Sequence, residues 1–133
     1  MSHEGLHEPA ELLGDATREL HRAIVSLMEE LEAIDWYQQR ADASTDPALK
    51  AVMLHNRNEE VEHAMMTLEW IRRRDANFDK FARRYLFQDG DIIGIEKAAD
   101  AAEAPAAAEA AAGEPAAASD ANASLGIRSL RGP

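Results

Sequence analysis

Two long stretches of helical periodicity, separated by only a few polar residues, constrain this chain more than any other feature. From about Pro9 to Ala41, the residues Leu20, Ile24, Leu27, Leu31 and Ile34 recur three and four apart, which puts them on one helical face. Pro9 suits a first helical turn, where Glu8 and Glu11 complement the helix dipole. Asp42 to Asp46 is a short polar connection, and Asp46-Pro47 supplies an N-cap followed by proline at the first helical position. A second helix is predicted from Pro47 to about Arg74. Leu49, Val52, Met53, Val61, Met65, Leu68 and Ile71 are its apolar residues, and Arg72, Arg73 and Arg74 stand where the dipole favours cations. Two such helices joined so tightly form an antiparallel hairpin. Phe78, Phe81 and Tyr85 then predict a short third helix, closed by Gly90.

The expected fold is therefore all-α. A two-helix hairpin has half the surface of a four-helix bundle and cannot bury its apolar faces alone, so a dimer or larger homo-oligomer is expected. Composition narrows the partners. The 133 residues include 25 acidic and 14 basic side chains, a net charge of -11. That surface repels nucleic acid and anionic membrane and attracts cations. Without cysteine, thiolate sites and disulfides are excluded, and any metal site must use histidine and carboxylates. The N-terminus lacks a basic segment followed by an apolar run, and no apolar stretch approaches the ~20 residues of a membrane span, so a soluble cytoplasmic protein is expected. Residues 1–98 read as one helical domain. Residues 99–123, almost all Ala, acid, Pro and Gly, lack large side chains to pack and read as a flexible linker. Residues 124–133 bring back Leu125, Ile127 and Leu130, a short apolar motif on a tether of the kind used in recognition.

The middle of the second helix carries Glu60-Val61-Glu62-His63. Glu60 and His63 are three apart and share a face. The Glu-x-x-His spacing, paired with a lone Glu on a neighbouring helix, builds carboxylate-bridged di-iron sites in helical bundles. Glu30 borders the apolar stripe of the first helix, between Leu27 and Ile34, and supplies that lone Glu. One chain then offers two glutamates and one histidine; a symmetric pair offers the full di-iron set. The competing reading is a solvated acidic face, Glu59, Glu60 and Glu62, with His63 at the surface. Against it, the track Met53, Asn56, Glu60, His63, Thr67, Trp70 is apolar at both ends, and buried carboxylates need partners or metal. Glu29 and Glu32 form a second acidic pair, with Trp36 beyond; spacing alone favours ordinary surface acids over a cation path. His21 and His55 read as structural or surface residues, and Tyr37 as packing or as a hydrogen-bonding neighbour of the site.

Three stretches resemble encapsulated ferritins: HRAIVSLMEELEAIDWY from His21 to Tyr37, HNRNEEVEHAMMTLEW from His55 to Trp70, and SLGIRSL from Ser124 to Leu130. The resemblance implies a helical hairpin with a shorter C-terminal helix, two subunits meeting as a ferritin-like four-helix bundle, and dimers arranged in a ring-like decamer. It implies iron at a di-iron ferroxidase centre held by Glu30, Glu60 and His63. It also implies an acidic path for iron, calcium or another divalent cation at Glu29 and Glu32, with Trp36 adjacent. The peptide Ser124–Leu130 resembles a sequence that docks cargo inside an encapsulin shell, so the implied setting is an encapsulin nanocompartment in the cytoplasm. The implied activity is oxidation of Fe(II) by dioxygen, delivering iron for mineralisation and storage in the shell. Two alternatives stand beside it: a metal-stabilised assembly or cargo-adaptor module without turnover, and a di-iron oxygenase acting on an organic substrate.

Overall fold

The protein's structure, a computed structural model, describes residues 5–104. A single 3-10 turn, Ala10–Leu12, precedes three helices, α1 (Asp15–Ala43), α2 (Pro47–Arg74) and α3 (Ala76–Tyr85). A further helix, α4, occupies residues 92–104. Every regular element among the described residues is helical, and none is long and apolar enough to cross a membrane. The chain divides at Arg84 into two compact units.

α1 starts later than the apolar periodicity predicts. The expected helix began at Pro9, whereas Gly14, extended at φ -67° and ψ 160°, separates the 3-10 turn from Asp15. Glycine costs ~1 kcal/mol relative to alanine inside a helix, so the chain breaks there, and Gly14 becomes the N-cap. Its carbonyl accepts the first helical bond, from the Arg18 N–H at 3.1 Å.

α2 begins where the sequence places it. The Asp46 carboxylate accepts from the Ala48 N–H at 2.9 Å, and Pro47 occupies the position whose N–H no helix uses. Asp75 then works in both directions. Its N–H donates to the Ile71 carbonyl at 3.0 Å and finishes α2. Its side chain accepts from the Asn77 and Phe78 N–H groups at 2.9 and 3.0 Å and starts α3.

α1 and α2 pack extensively against each other along the hairpin. Ala41 near the end of α1, Ala64 in α2 and Ile71 in the last turn of α2 are fully buried along it. Alanine at 41 and 64 lets the helices approach closely, and Arg57, Ala64 and Ile71 share one seam because they recur every seventh residue. The outer faces remain apolar. Met28, Leu31, Leu49, Val52, Met65 and Met66 are between 40 and 59% exposed. This is the unsatisfied half-bundle expected from the sequence.

α4 was not anticipated. Gly90, at φ +102°, makes a turn that residues with a Cβ rarely make. Asp91 then caps α4, accepting from the Gly94 N–H at 2.7 Å. An aspartate directly after glycine and before Ile92 and Ile93 was the available signal. α4 continues through residues 99–104, into the stretch read as linker. Residues 105–123 and the 124–133 peptide lie outside the described residues.

Candidate metal centre

The hairpin brings the middle of α1 beside the middle of α2, and this sets Glu30 against Glu60 and His63. One ligand atom from each lies within 4.8 Å of the others, the only such cluster of three among the described residues. His63 Nδ1 is 3.3 Å from Glu60 Oε2 and 4.0 Å from Glu30 Oε2. The first contact follows from helical spacing; the second exists only because the helices pack. The two carboxylates are about one-quarter exposed and the imidazole somewhat more. The three residues therefore sit at the hairpin's open face, neither sealed inside it nor solvated.

The carboxylates are electrostatically unequal. A hydrogen bond with Glu60 raises the Glu30 pKa, reinforced by burial and by the negative charges of Glu60 and Glu29. The same bond from Glu30 lowers that of Glu60, helped by His63 and opposed by burial. The two carboxyls are thus pushed apart, Glu30 upward and Glu60 downward. Two carboxylates this close repel each other, and a bound cation would relieve that repulsion. The donor set of two carboxylates and one imidazole suits iron or another borderline divalent ion and disfavours soft thiophilic metals. Three protein ligands would leave further coordination positions of such an ion to be filled by other groups.

The other residues singled out in the sequence fall outside this cluster. Glu29, Glu32 and Trp36 are exposed on α1, and none contributes a ligand atom to the group of three. The Arg40 guanidinium lies over both the Trp36 and Tyr37 rings, at 6.0 and 5.5 Å. His55 Nε2 stands 3.8 Å from Glu59, an exposed pair one turn apart. His21 lies on α1 away from the cluster.

One constellation had been given no role. Arg72 grips Glu69 with two bonds, at 2.5 and 2.7 Å, and also donates to Asp79 of α3. Arg83 holds the same Asp79 at 3.0 Å. The Glu69–Arg72 spacing was a legible signal. Asp79 was not, because its approach depends on the Asp75 turn.

Comparison with known proteins places the chain in a family. Residues 5–89 match the EncFtn-like family. The chain is 55% identical over 131 residues to an encapsulated ferritin-like protein of Rhodospirillum rubrum, covering 98% of this chain and 91% of that one. It is 45% identical over 91 residues to a ferritin-like protein of Thermotoga maritima, covering 68% of this chain and 80% of that one. The crystal structure of protein ne0167 from Nitrosomonas europaea superimposes with a TM-score of 0.65 at 57% identity, covering 66% of this chain and 97% of that one. With nearly two-thirds of its length matched to one family and a near full-length relative at more than half identity, the chain belongs to the EncFtn-like family.

Proposed function

We propose that this protein is a ferroxidase that takes Fe(II) as substrate and dioxygen as acceptor at a site completed by two copies of the chain. Membership of the EncFtn-like family supports an iron-related, ferritin-like function. The observation that carries the finer reading is the convergence of Glu30, Glu60 and His63 within 4.8 Å on an incompletely buried face. A single chain supplies only half the ligands of a di-iron site. The exposed apolar residues of α1 and α2 favour a second copy as the supplier of the rest.

In this reading each chain's residues do three things. Glu30 and Glu60 would supply the negative charge that holds ferrous iron. His63 would contribute an imidazole nitrogen ligand beside the two carboxylates. Glu29 and Glu32, beside Trp36, present an acidic approach that attracts divalent cations, calcium among them. The iron supplies the electrons, and the protein sets geometry and charge.

The two-helix hairpin encloses no storage cavity. We therefore assign mineralisation to an encapsulin shell, with residues 105–123, the part of the expected linker beyond α4, as tether and Ser124–Leu130 as the docking peptide. The copies of the peptide on one assembly, for which a ring-like decamer is the expected form, would bind the shell by avidity. The working location is then a nanocompartment in the cytoplasm.

The test is stopped-flow absorbance of the protein mixed with ferrous iron in air, with Glu60→Ala beside it. Rapid, repeated ferric formation by the parent alone is expected. Equal rates would displace the site. Metal binding without turnover in the parent would leave the second reading, a metal-stabilised assembly and cargo-adaptor module, which the exposed apolar faces also favour.

A further inference from the structure

The Gly90 turn leaves apolar side chains facing water on both sides of it. Leu86, before the turn, is 48% exposed, and Ile92 and Ile93, at the start of α4, are 70 and 64% exposed. All three belong to the second compact unit, which begins at Arg84. They are set among acids. Residues 89–104 hold Asp89, Asp91, Glu96, Asp100 and Glu103 against Lys97, a net charge of -4. Glu96 and Asp100 follow Ile92 at intervals of four and continue its line along α4. Asp91 is engaged as the cap and Glu103 is held by Arg84, whereas Asp89, Glu96 and Asp100 present exposed carboxylates. An apolar patch with an acidic border fits a segment that brings large apolar side chains and positive charge together.

The chain carries such a segment itself. Between Ile95 and Leu125 there is no Val, Ile, Leu, Met, Phe, Tyr or Trp. Residues 124–133 then bring Leu125, Ile127 and Leu130 together with Arg128 and Arg131, and no acid. Residues 105–123 add Glu109, Glu114 and Asp120 but no large apolar group to cover Ile92 and Ile93. Reach is sufficient. Arg84 holds Glu103 at 2.7 Å and so fixes the end of α4 from which the remaining chain departs. α4, residues 92–104, is about 20 Å long by the rise of an α-helix. Residues 105–123 can extend to at most ~65 Å, so the return to Ile92 takes roughly a third of that length. A tether longer than the span it bridges makes the encounter intramolecular, with an effective concentration that approaches the millimolar range. The outer faces of α1 and α2 are assigned above to a second copy; this patch has no such claimant.

We infer that the segment Leu125–Arg131 docks back on its own chain. Leu125, Ile127 and Leu130 cover Leu86, Ile92 and Ile93, with Arg128 and Arg131 toward Glu96 and Asp100. The segment stays covered until a competing surface takes it. In the shell-docking reading that surface is the shell, and self-docking weakens the apparent affinity of the peptide by the fraction of time it is covered. That consequence rests on the shell-docking reading; the contact itself does not, and it involves neither metal nor the Glu30–Glu60–His63 cluster.

The test uses the metal-free full chain with no shell protein present. The chain has no cysteine, so Ser129→Cys takes a single nitroxide label. Methyl NMR on ¹³C-labelled isoleucines reads which of them the label broadens. Apart from the neighbouring Ile127, the largest loss of intensity is expected at Ile92 and Ile93, several-fold relative to the reduced label. Leu125→Ser, Ile127→Ser and Leu130→Ser together should abolish that loss. Arg128→Glu with Arg131→Glu should weaken it several-fold, both variants leaving far-UV circular dichroism unchanged. Co-refolding spin-labelled chains with separate ¹³C-labelled chains reads contact between copies, and little broadening is expected there. No broadening at Ile92 and Ile93, equal broadening between copies, or equal broadening in the serine variant would each overturn the proposal. Added encapsulin shell protein that leaves the broadening unchanged would count against the shell-docking reading and leave the self-contact standing.

Discussion

Replacing Ile71 by alanine tests where the hairpin's stability resides. Ile71 is the one large side chain fully buried among the described residues. Truncation to alanine returns three carbons to water, and at ~0.8 kcal/mol for each the transfer loss is about 2.4 kcal/mol. A cavity adds to this, and deletions of this kind span ~2–5 kcal/mol. Ile71 lies in the last turn of α2, beside the Asp75 turn, where the helix end can relax inward. We therefore expect about 3 kcal/mol per chain, close to the low end of that range. At ~1.4 kcal/mol per tenfold, this lowers the folded-to-unfolded ratio roughly a hundredfold. Urea unfolding followed by far-UV circular dichroism, at fixed protein concentration, measures it. Leu31→Ala is the companion variant. Leu31 is 52% exposed, so within one chain its truncation should cost only about half the transfer term, ~1.2 kcal/mol. A Leu31→Ala loss equal to that of Ile71→Ala would mean that a second chain buries the α1 face. An Ile71→Ala loss below about 0.5 kcal/mol, the range of ordinary surface changes, would refute the placing of stability in the α1–α2 seam.

Asp46→Ala removes the α2 N-cap and should cost ~1 kcal/mol in thermal unfolding, with Asp46→Asn close to the parent. Phe87 is fully exposed at φ +60°, so Phe87→Gly should relieve about 1 kcal/mol of backbone strain and raise the Tm; an unchanged or lower Tm would show that its side chain packs on something. Bonds from Arg72 and Arg73 hold the Glu69 pKa down from the ordinary 4.5 to about 2, and Arg83 and Arg72 lower that of Asp79. A folded pKa below the unfolded one means stabilisation that is whole above the ordinary carboxylate range and lost as pH falls toward about 2. Thermal scans across that window should therefore fall more steeply in the parent than in Glu69→Gln. Chelation should shift the sizing profile toward smaller species if metal joins the two halves of the site, and an unchanged profile would separate metal binding from pairing.

Much of this molecule is legible from local chemistry in its sequence. Asp46-Pro47 announces the start of α2, and the three arginines announce its end, because capping and dipole effects act within one turn. The apolar periodicity of both long helices and the shortness of their connection imply an antiparallel half-bundle before any coordinate is known. The Glu60–His63 pair follows from spacing on a single helix. Other features depend on contacts between residues far apart in sequence, and only the tertiary structure decided them. The sequence nominated Glu30, but its approach to His63 at 4.0 Å comes from the packing of α1 on α2. The interruption at Gly14 turned on a backbone preference that the surrounding apolar pattern masked. Arg72 reaches Asp79 because Asp75 ends one helix and starts the next at a definite angle. Periodicity and capping are local and additive, so they can be read along a line. The opposed electrostatic shifts of Glu30 and Glu60 exist only once the chain has folded back on itself.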